Sequence, residues 1–281
     1  MIKKGNKTHT DFQDDIGNIE NWTENNYLVI NPKKSKYLCF STNKVTNKTV
    51  NICCKTIKNE KFAKYLGVLI DDKFSFLEHV SYVCKKISIQ GGLIRQMKDI
   101  LIRDHILLFY NAYIKLRIQY AILAYGNCKF TQIDDIVKIQ KRIVRTIFSV
   151  KKFDSVSQIM IQNKIYTAHE LYVYELLKTI VKNKTKICAG TRTSKLLEDD
   201  SQNTYLTRYK TKGLLSESSC PNKSFSVLKS RILKLCNILI KNDLLPKNLN
   251  NFTKNELNQF YHRFRDNYIL GNFGLIKYIF K

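Results

Sequence analysis

The apolar residues of this chain change their spacing once, just after Asp71-Asp72-Lys73, and that change governs what it can fold into. Before it, short β-branched and aromatic runs follow one another: Lys36 to Ser41, Thr49 to Cys53, and Lys64 to Ile70. Their short polar connections fit a small antiparallel sheet. A helix over 11–26 precedes them, with Asp11 as its cap and Phe12, Ile16, Ile19 and Trp22 or Thr23 at helical spacing. Gly67 interrupts the last run and gives another backbone or a ligand room to approach.

Beyond Lys73 the period is 3.6. Val80, Val83, Cys84 and Ile87 form one stripe, ending near Gly91-Gly92. A helix from Leu101 to Tyr125 is bounded by Asp104 as a cap and Gly126 as a stop. Apolar residues run almost all round it, so it is expected to be the most enclosed helix. Helices follow over Ile133 to Phe148 and from about Ala168 to Val181. Residues 182–224 are polar, with Lys182-Asn183-Lys184-Thr185-Lys186 and Ser216 to Ser219, and read as a loop-rich linker. Ser224 to Ile240 resumes helical patterning, and Thr253-x-x-Glu256 is a capping box opening a last helix with Leu257, Tyr261, Phe264 and Tyr268. The expected class is α+β. A small antiparallel sheet with one helix occupies 1–76, a mainly helical bundle 77–181, the linker 182–224, and a helical C-terminal extension 225–281.

Charge narrows the partners. Lys and Arg total 48 against 23 Asp and Glu in 281 residues, a net charge of +25. Such an excess repels itself unless an anionic partner screens it; nucleic acid is the commonest, and an anionic membrane surface is second. A lysine- and asparagine-rich composition inherited from an AT-rich genome is the bland alternative. The eight cysteines form no C-x-x-C and no histidine pair stands near them, so buried free thiols in a reducing compartment are expected, with no metal site. Met1-Ile2-Lys3-Lys4-Gly5-Asn6 has no apolar run behind it and is no signal peptide. The stretch from Ile106 to Tyr125 is broken by Asn111, Lys115, Arg117 and Gln119 and reads as a buried helix, not a membrane span. An intracellular protein, cytoplasmic or nuclear, is expected, with no membrane and no small-molecule substrate.

One helix carries the charge in a pattern. At 100° per residue, Lys138, Lys141, Arg142 and Arg145 share a face, opposite Ile136, Ile139, Ile143 and Ile147. Such a face contacts phosphate oxygens without reading sequence; a merely solvated charged face is the alternative. Lys85, Lys86, Arg95 and Lys98 extend the basic surface onto neighbouring helices. His79, His105 and His169 have no partners that suggest a triad and are expected to be structural or surface residues.

Two segments also carry a family resemblance. Leu28-Val29-Ile30-Asn31-Pro32-Lys33-Lys34-Ser35-Lys36-Tyr37-Leu38-Cys39-Phe40 followed by Phe62-Ala63-Lys64-Tyr65-Leu66-Gly67-Val68-Leu69-Ile70-Asp71 resembles two consecutive motifs of reverse transcriptases from non-LTR retrotransposons, of the LINE and jockey kind. The first resembles the lysine-bearing segment that closes the palm, the second the primer-grip hairpin. Asn21-Trp22 with Asn26 and Asn31 resembles the helix leading into the lysine motif. Phe76-Leu77-Glu78-His79-Val80 with Val83-Cys84-Lys85-Lys86-Ile87 resembles the first thumb helix. Leu107 to Gly126, with Tyr120 and Tyr125-Gly126-Asn127, resembles the long helix after it, and Gln140-Lys141-Arg142-Ile143-Val144-Arg145 the basic helix beyond. Leu244-Leu245-Pro246 and Phe260 to Tyr268 resemble the terminal region, with Cys236-Asn237 standing where that family usually has a tryptophan.

The resemblance implies a palm remnant, a thumb and a C-terminal extension that together bind an RNA or DNA template–primer. Lys34 and Lys36 fall in the palm-lysine segment, and Tyr65, Leu66 and Gly67 would position the primer end. It also implies that the catalytic half lies outside this chain. A polymerase of this kind holds two divalent metals with palm carboxylates. Phe12-Gln13-Asp14-Asp15 imitates their signature, but only six residues separate Asp15 from Trp22, too few for a second hairpin strand and the helix after it. Asp14 and Asp15 read instead as residues near a helix N-terminus, Asp71-Asp72 as a turn, and Asp134-Asp135 as a helix start. The expectation is a truncated, catalytically inactive part of an RNA-directed DNA polymerase with no catalytic residue and no cofactor of its own, Mg²⁺ belonging to the full-length enzyme. A sequence-nonspecific nucleic-acid-binding helical protein without polymerase ancestry, or a decayed reading frame, are the alternatives.

Overall fold

Helix α1 spans His9–Asn25, so Asp11 lies inside its first turn instead of capping it, and Asp14 and Asp15 sit further into the helix than the sequence reading placed them. The computed structural model describes residues 9–40, 49–126 and 128–188, with residues 235, 259, 261 and 262. It divides into two units, Met1–His79 and Val80–Lys281. The architecture is α+β.

In the first unit the strands form two separate hairpins in place of one sheet. Strand β1 (Thr49–Ile52) pairs antiparallel with β2 (Lys55–Lys58), and β3 (Phe62–Tyr65) with β4 (Val68–Asp71). The strand expected from Lys36 is reduced to one bridge, Tyr37 to Asn59, flanked by the Glu60 amide donating to the Tyr37 carbonyl at 2.9 Å. Both hairpins close through two-residue loops with positive φ at each position: Cys53 (45°) and Cys54 (61°), then Leu66 (45°) and Gly67 (83°). That is the turn whose twist matches the strands it joins. Gly67 is therefore a turn residue and not a gap inside a strand, because only glycine takes that φ without cost.

Helix α1 supplies what β1 lacks on its outer side. The Gln13 amide group donates to the Asn51 carbonyl (2.8 Å) and accepts from the Asn51 amide (3.2 Å), while Glu20 Oε1 accepts from the Cys53 amide at 2.6 Å. Gln13 and Glu20 are two helical turns apart and so share a face. Between the elements Ile16, Val50, Val68 and Phe76 are buried, and Phe40 stacks on Phe74 at 4.2 Å. The Asp71 carboxylate ties the following turn: Oδ1 accepts from the Ser75 amide at 2.6 Å, and Oδ2 accepts from the Ser75 hydroxyl.

His79 is buried, and its Nδ1 accepts from the Leu69 amide at 3.3 Å. Burial holds its pKa down at about 4, against 6.5 for a free histidine. The unfolded chain then binds more protons between those values, so the stability from neutral His79 is complete above pH 6.5 and lost as pH falls toward 4. The expected loss is about 2–3 kcal/mol, measured as the difference between wild type and H79N in urea unfolding at pH 7.5 and pH 4.5. Equal pH dependence in the two proteins would contradict a neutral, buried His79.

In the second unit, α2 (Leu77–Met97) buries Val80, Val83, Ile87, Gln90 and Ile94. It runs straight through Gly91-Gly92, which the sequence reading took as its end. A Cβ on Gly91 would stand 2.7 Å from Ile143 Cγ1, so this glycine serves a helix-to-helix approach. The stretch read as one helix from Leu101 is divided. Helix α3 (Arg103–Phe109) passes into a π-helical segment, Tyr110–Lys115, then α4 (Leu116–Gln119), a left-handed break at Ala121 (φ 55°), and α5 (Ile122–Tyr125). Ile102, not Asp104, occupies the N-cap position of α3.

That stretch buries one side only. Ile106, Tyr110, Ile114 and Ile118 are enclosed, whereas Leu108, Tyr113, Leu116 and Tyr120 are exposed. The enclosed helix is α8 (Ala168–Cys188), where Ala168 to Val173, Leu176 and Leu177 are all buried. It packs against α4, α5 and α6 (Phe130–Ile147), and α3 packs on α6. A short helix α7 (Ser157–Gln162) lies between α6 and α8. Thr167-x-x-Glu170 opens α8 as a capping box: Glu170 Oε2 accepts from the Thr167 amide (2.7 Å) and the Glu170 amide donates to Thr167 Oγ1 (3.3 Å). Helix α8 runs on through residues 182–188, assigned to the linker from sequence; lysine favours helix and no glycine or proline intervenes before Gly190. The rest of the linker and most of the C-terminal extension, with its helices over Ser224 to Ile240 and from Thr253, fall outside the described residues.

Candidate nucleic-acid interface

Helix α6 is a two-faced element. Ile133, Ile136, Val137, Gln140, Ile143, Val144 and Ile147 are buried. Lys138 and Arg142 are exposed, and Lys141 and Arg145 half-buried. The division follows from the 3.6 period that the sequence displays. The helix starts at Phe130, three residues earlier than expected, so Asp134 and Asp135 lie within it and not at its start.

That shift alters the charge pattern. Asp135 pairs with Lys138 at 2.8 Å, an exposed ion pair one turn apart that raises the lysine pKa. Asp134 accepts from or pairs with His169 at 2.9 Å, and the His169 ring stacks on Phe130 at 4.1 Å. Desolvation keeps the His169 pKa low despite Asp134. The N-terminal half of α6 is therefore balanced, and its cationic character lies in the C-terminal half. There Arg145 donates through Nε (3.4 Å) and Nη2 (3.2 Å) to the Asp154 carbonyl, a neutral acceptor that leaves the guanidinium charge uncompensated.

The same bonds fold the segment after α6 back on Arg145, with the Val150 amide donating to the Arg145 carbonyl at 3.0 Å. Lys151 and Lys152 are exposed in that segment, and the Arg103 guanidinium lies over the Phe148 ring at 5.2 Å. The cationic end of α6 thus gathers Arg142, Arg145, Lys151, Lys152 and Arg103. Lys151-Lys152 was readable as a basic pair; Arg103 is remote in sequence and no local signal could have placed it.

The remaining candidates are spread over both units. On α2, Lys85, Lys86 and Arg95 are exposed, with Lys86 Nζ 5.8 Å from the Tyr82 ring centre. Lys98, just past α2, stands 3.9 Å from Asp99. In the first unit Lys34 is exposed in a turn organised by Asn31, whose carbonyl accepts from the Lys34 and Ser35 amides at 3.1 Å. Lys36 pairs with Glu60 at 2.6 Å, so it is not a free cation. Tyr65 and Leu66 are exposed at the tip of the second hairpin, 63% and 72% accessible, an unusual display of apolar surface at a turn.

Other features bear on chemistry. Among the described residues no three His, Cys, Asp or Glu side chains come together as metal ligands, and no helix is long and apolar enough to cross a membrane. Cys53 and Cys54 are exposed, against the expectation of buried thiols, while Cys128 is buried and Cys39 and Cys84 are half-buried. No family model, no curated protein and no solved structure matches the chain.

Proposed function

We propose that this chain binds template–primer nucleic acid as the palm-closing and thumb part of a retrotransposon-type reverse transcriptase, and that it does not polymerise by itself. The observation that carries the binding is the C-terminal end of α6, where Arg142 and Arg145 are followed by exposed Lys151 and Lys152 in a segment hydrogen-bonded back to Arg145, with Asp154 the one acid among residues 142–154. Cations so placed exchange condensed counterions for phosphate contacts, which gives affinity without sequence preference. The polymerase assignment rests on the ordered motif resemblance and is supported by the two-residue turn at Leu66-Gly67, which presents Tyr65 and Leu66 at a hairpin tip.

Fluorescence anisotropy of an RNA–DNA hybrid against salt tests the binding. Affinity should fall steeply with salt, and R142A/K151A/K152A should make the slope of log K against log salt shallower by about 2–3, since each lost phosphate contact removes a little under one unit. Absence of binding at low salt, or an unchanged slope in the triple variant, would overturn the assignment of this surface. Primer extension with Mg²⁺ or Mn²⁺ tests the second part: no extension above background is expected, and any extension would refute it.

A further inference from the structure

Two exposed thiols sit side by side at a turn that ordinarily selects Asn-Gly. Cys53-Cys54 is the chain's one adjacent cysteine pair, and it forms the loop between β1 and β2 with both residues left-handed. Below the loop the Ile52 to Lys55 pair of the ladder fixes the backbone, and on one side the Cys53 amide is held by Glu20 at 2.6 Å. The two sulfurs therefore leave one small, anchored piece of backbone. Both cysteines are free thiols.

Geometry decides what such a pair does. Adjacent Cα atoms across a trans peptide are about 3.8 Å apart, shorter than the roughly 4.4 Å at which ordinary disulfides begin. A direct S–S bond would thus strain the turn. A single atom placed between the sulfurs enlarges the ring and removes that conflict, and soft centres prefer thiolate donors. We propose that Cys53 and Cys54 are a dithiol site for mono-substituted trivalent arsenicals, each sulfur forming one bond to the same arsenic atom. The step balances without oxidation or reduction: two As–S bonds form, the arsenic–oxygen bond of an arsenoxide breaks, and the oxygen leaves as water with the two thiol protons. Desolvation and then the Glu20 carboxylate raise the Cys53 pKa, which slows but does not prevent its attack on arsenic, since the thiolate is the nucleophile. Anchoring by the ladder and Glu20 means little ordering remains to oppose closure of the ring.

The test is intact-mass analysis of the full chain with phenylarsine oxide. Wild type should gain one adduct that survives excess mercaptoethanol and is removed by dimercaptopropanol. C53S and C54S should each lose the mercaptoethanol-resistant adduct while keeping the wild-type circular dichroism spectrum, and C39S should retain it. Two separate substitutions within the loop keep the test decisive should one variant misfold. No resistant adduct in wild type, or one that persists in both C53S and C54S, would overturn the proposal.

Discussion

Replacing Gln140 with leucine is expected to destabilise the second unit by about 3–4 kcal/mol. Gln140 is inaccessible to solvent and uses both ends of its amide. Its Nε2 donates to the Tyr110 hydroxyl (3.0 Å) and the Tyr166 carbonyl (3.1 Å), and its Oε1 accepts from the Ala168 amide at 2.8 Å. The three partners come from the π-helical segment, the approach to α8, and the first residue of α8. Leucine fills similar space but removes the donor and acceptor that all three face, and a buried polar group deprived of its partner costs about 1–3 kcal/mol. Urea unfolding followed by circular dichroism measures the loss. Y110F alone should cost far less, and in the cycle with Q140L the two changes should be less than additive because they share one hydrogen bond. A loss below about 1 kcal/mol in Q140L would mean the amide is not the junction its geometry describes.

Gly126→Ala is the second large effect, and its cause is space alone. Gly126 closes α5 at φ −62°, a conformation any residue adopts. A Cβ there would stand 2.3 Å from Tyr172 Cδ2 and 2.4 Å from the Ile122 carbonyl oxygen. Tyr172 is fully buried and the carbonyl is backbone, so neither can move aside cheaply. Overpacking of this kind costs about 3 kcal/mol, equivalent to a melting point lower by about 6–12 °C for a unit of this size. Gly92→Ala is the matched control. Nothing lies within 4 Å of its Cβ position, and it sits mid-helix, where alanine is favoured by up to about 1 kcal/mol. Thermal unfolding of the pair should move in opposite directions; parallel shifts would refute the spatial argument.

What could be read from the sequence was whatever depends on neighbours within a turn or two. The α6 stripe was legible to within three residues because burial on one face imposes a 3.6 period. Lys64 to Ile70 was legible as strand-forming but read as one strand, because its turn was hidden: Leu66-Gly67 lacks the Asn or Asp that usually marks such a loop. Gly91 read as a stop because nothing local reveals Ile143 against it. The enclosed helix was misplaced for the same reason. Leu101 to Tyr125 is rich in apolar residues yet leaves Leu108, Tyr113 and Leu116 in solvent, whereas α8, with its polar His169 and Glu170, lies at the centre. The candidate site was half legible. The cations of α6 lie on the side away from its buried stripe, as the 3.6 period predicts, but their compensation by Asp135 and their company with Arg103 depend on a helix start and a tertiary contact that periodicity does not encode.

The hydrogen bonds from Gln13 and Glu20 to Asn51 and Cys53 have a consequence for how this chain behaves in company. A two-stranded ladder leaves outward-facing amides and carbonyls along each edge, and such edges recruit strands from other molecules. On the β1 side Gln13 of α1 already occupies the amide and carbonyl of Asn51, so the edge is blocked at that point without a third strand. A protease cut between Asn25 and Thr49 that released α1 would do more than delete a helix. It would uncork an adhesive margin, and the product would be a protein that clumps with its own copies.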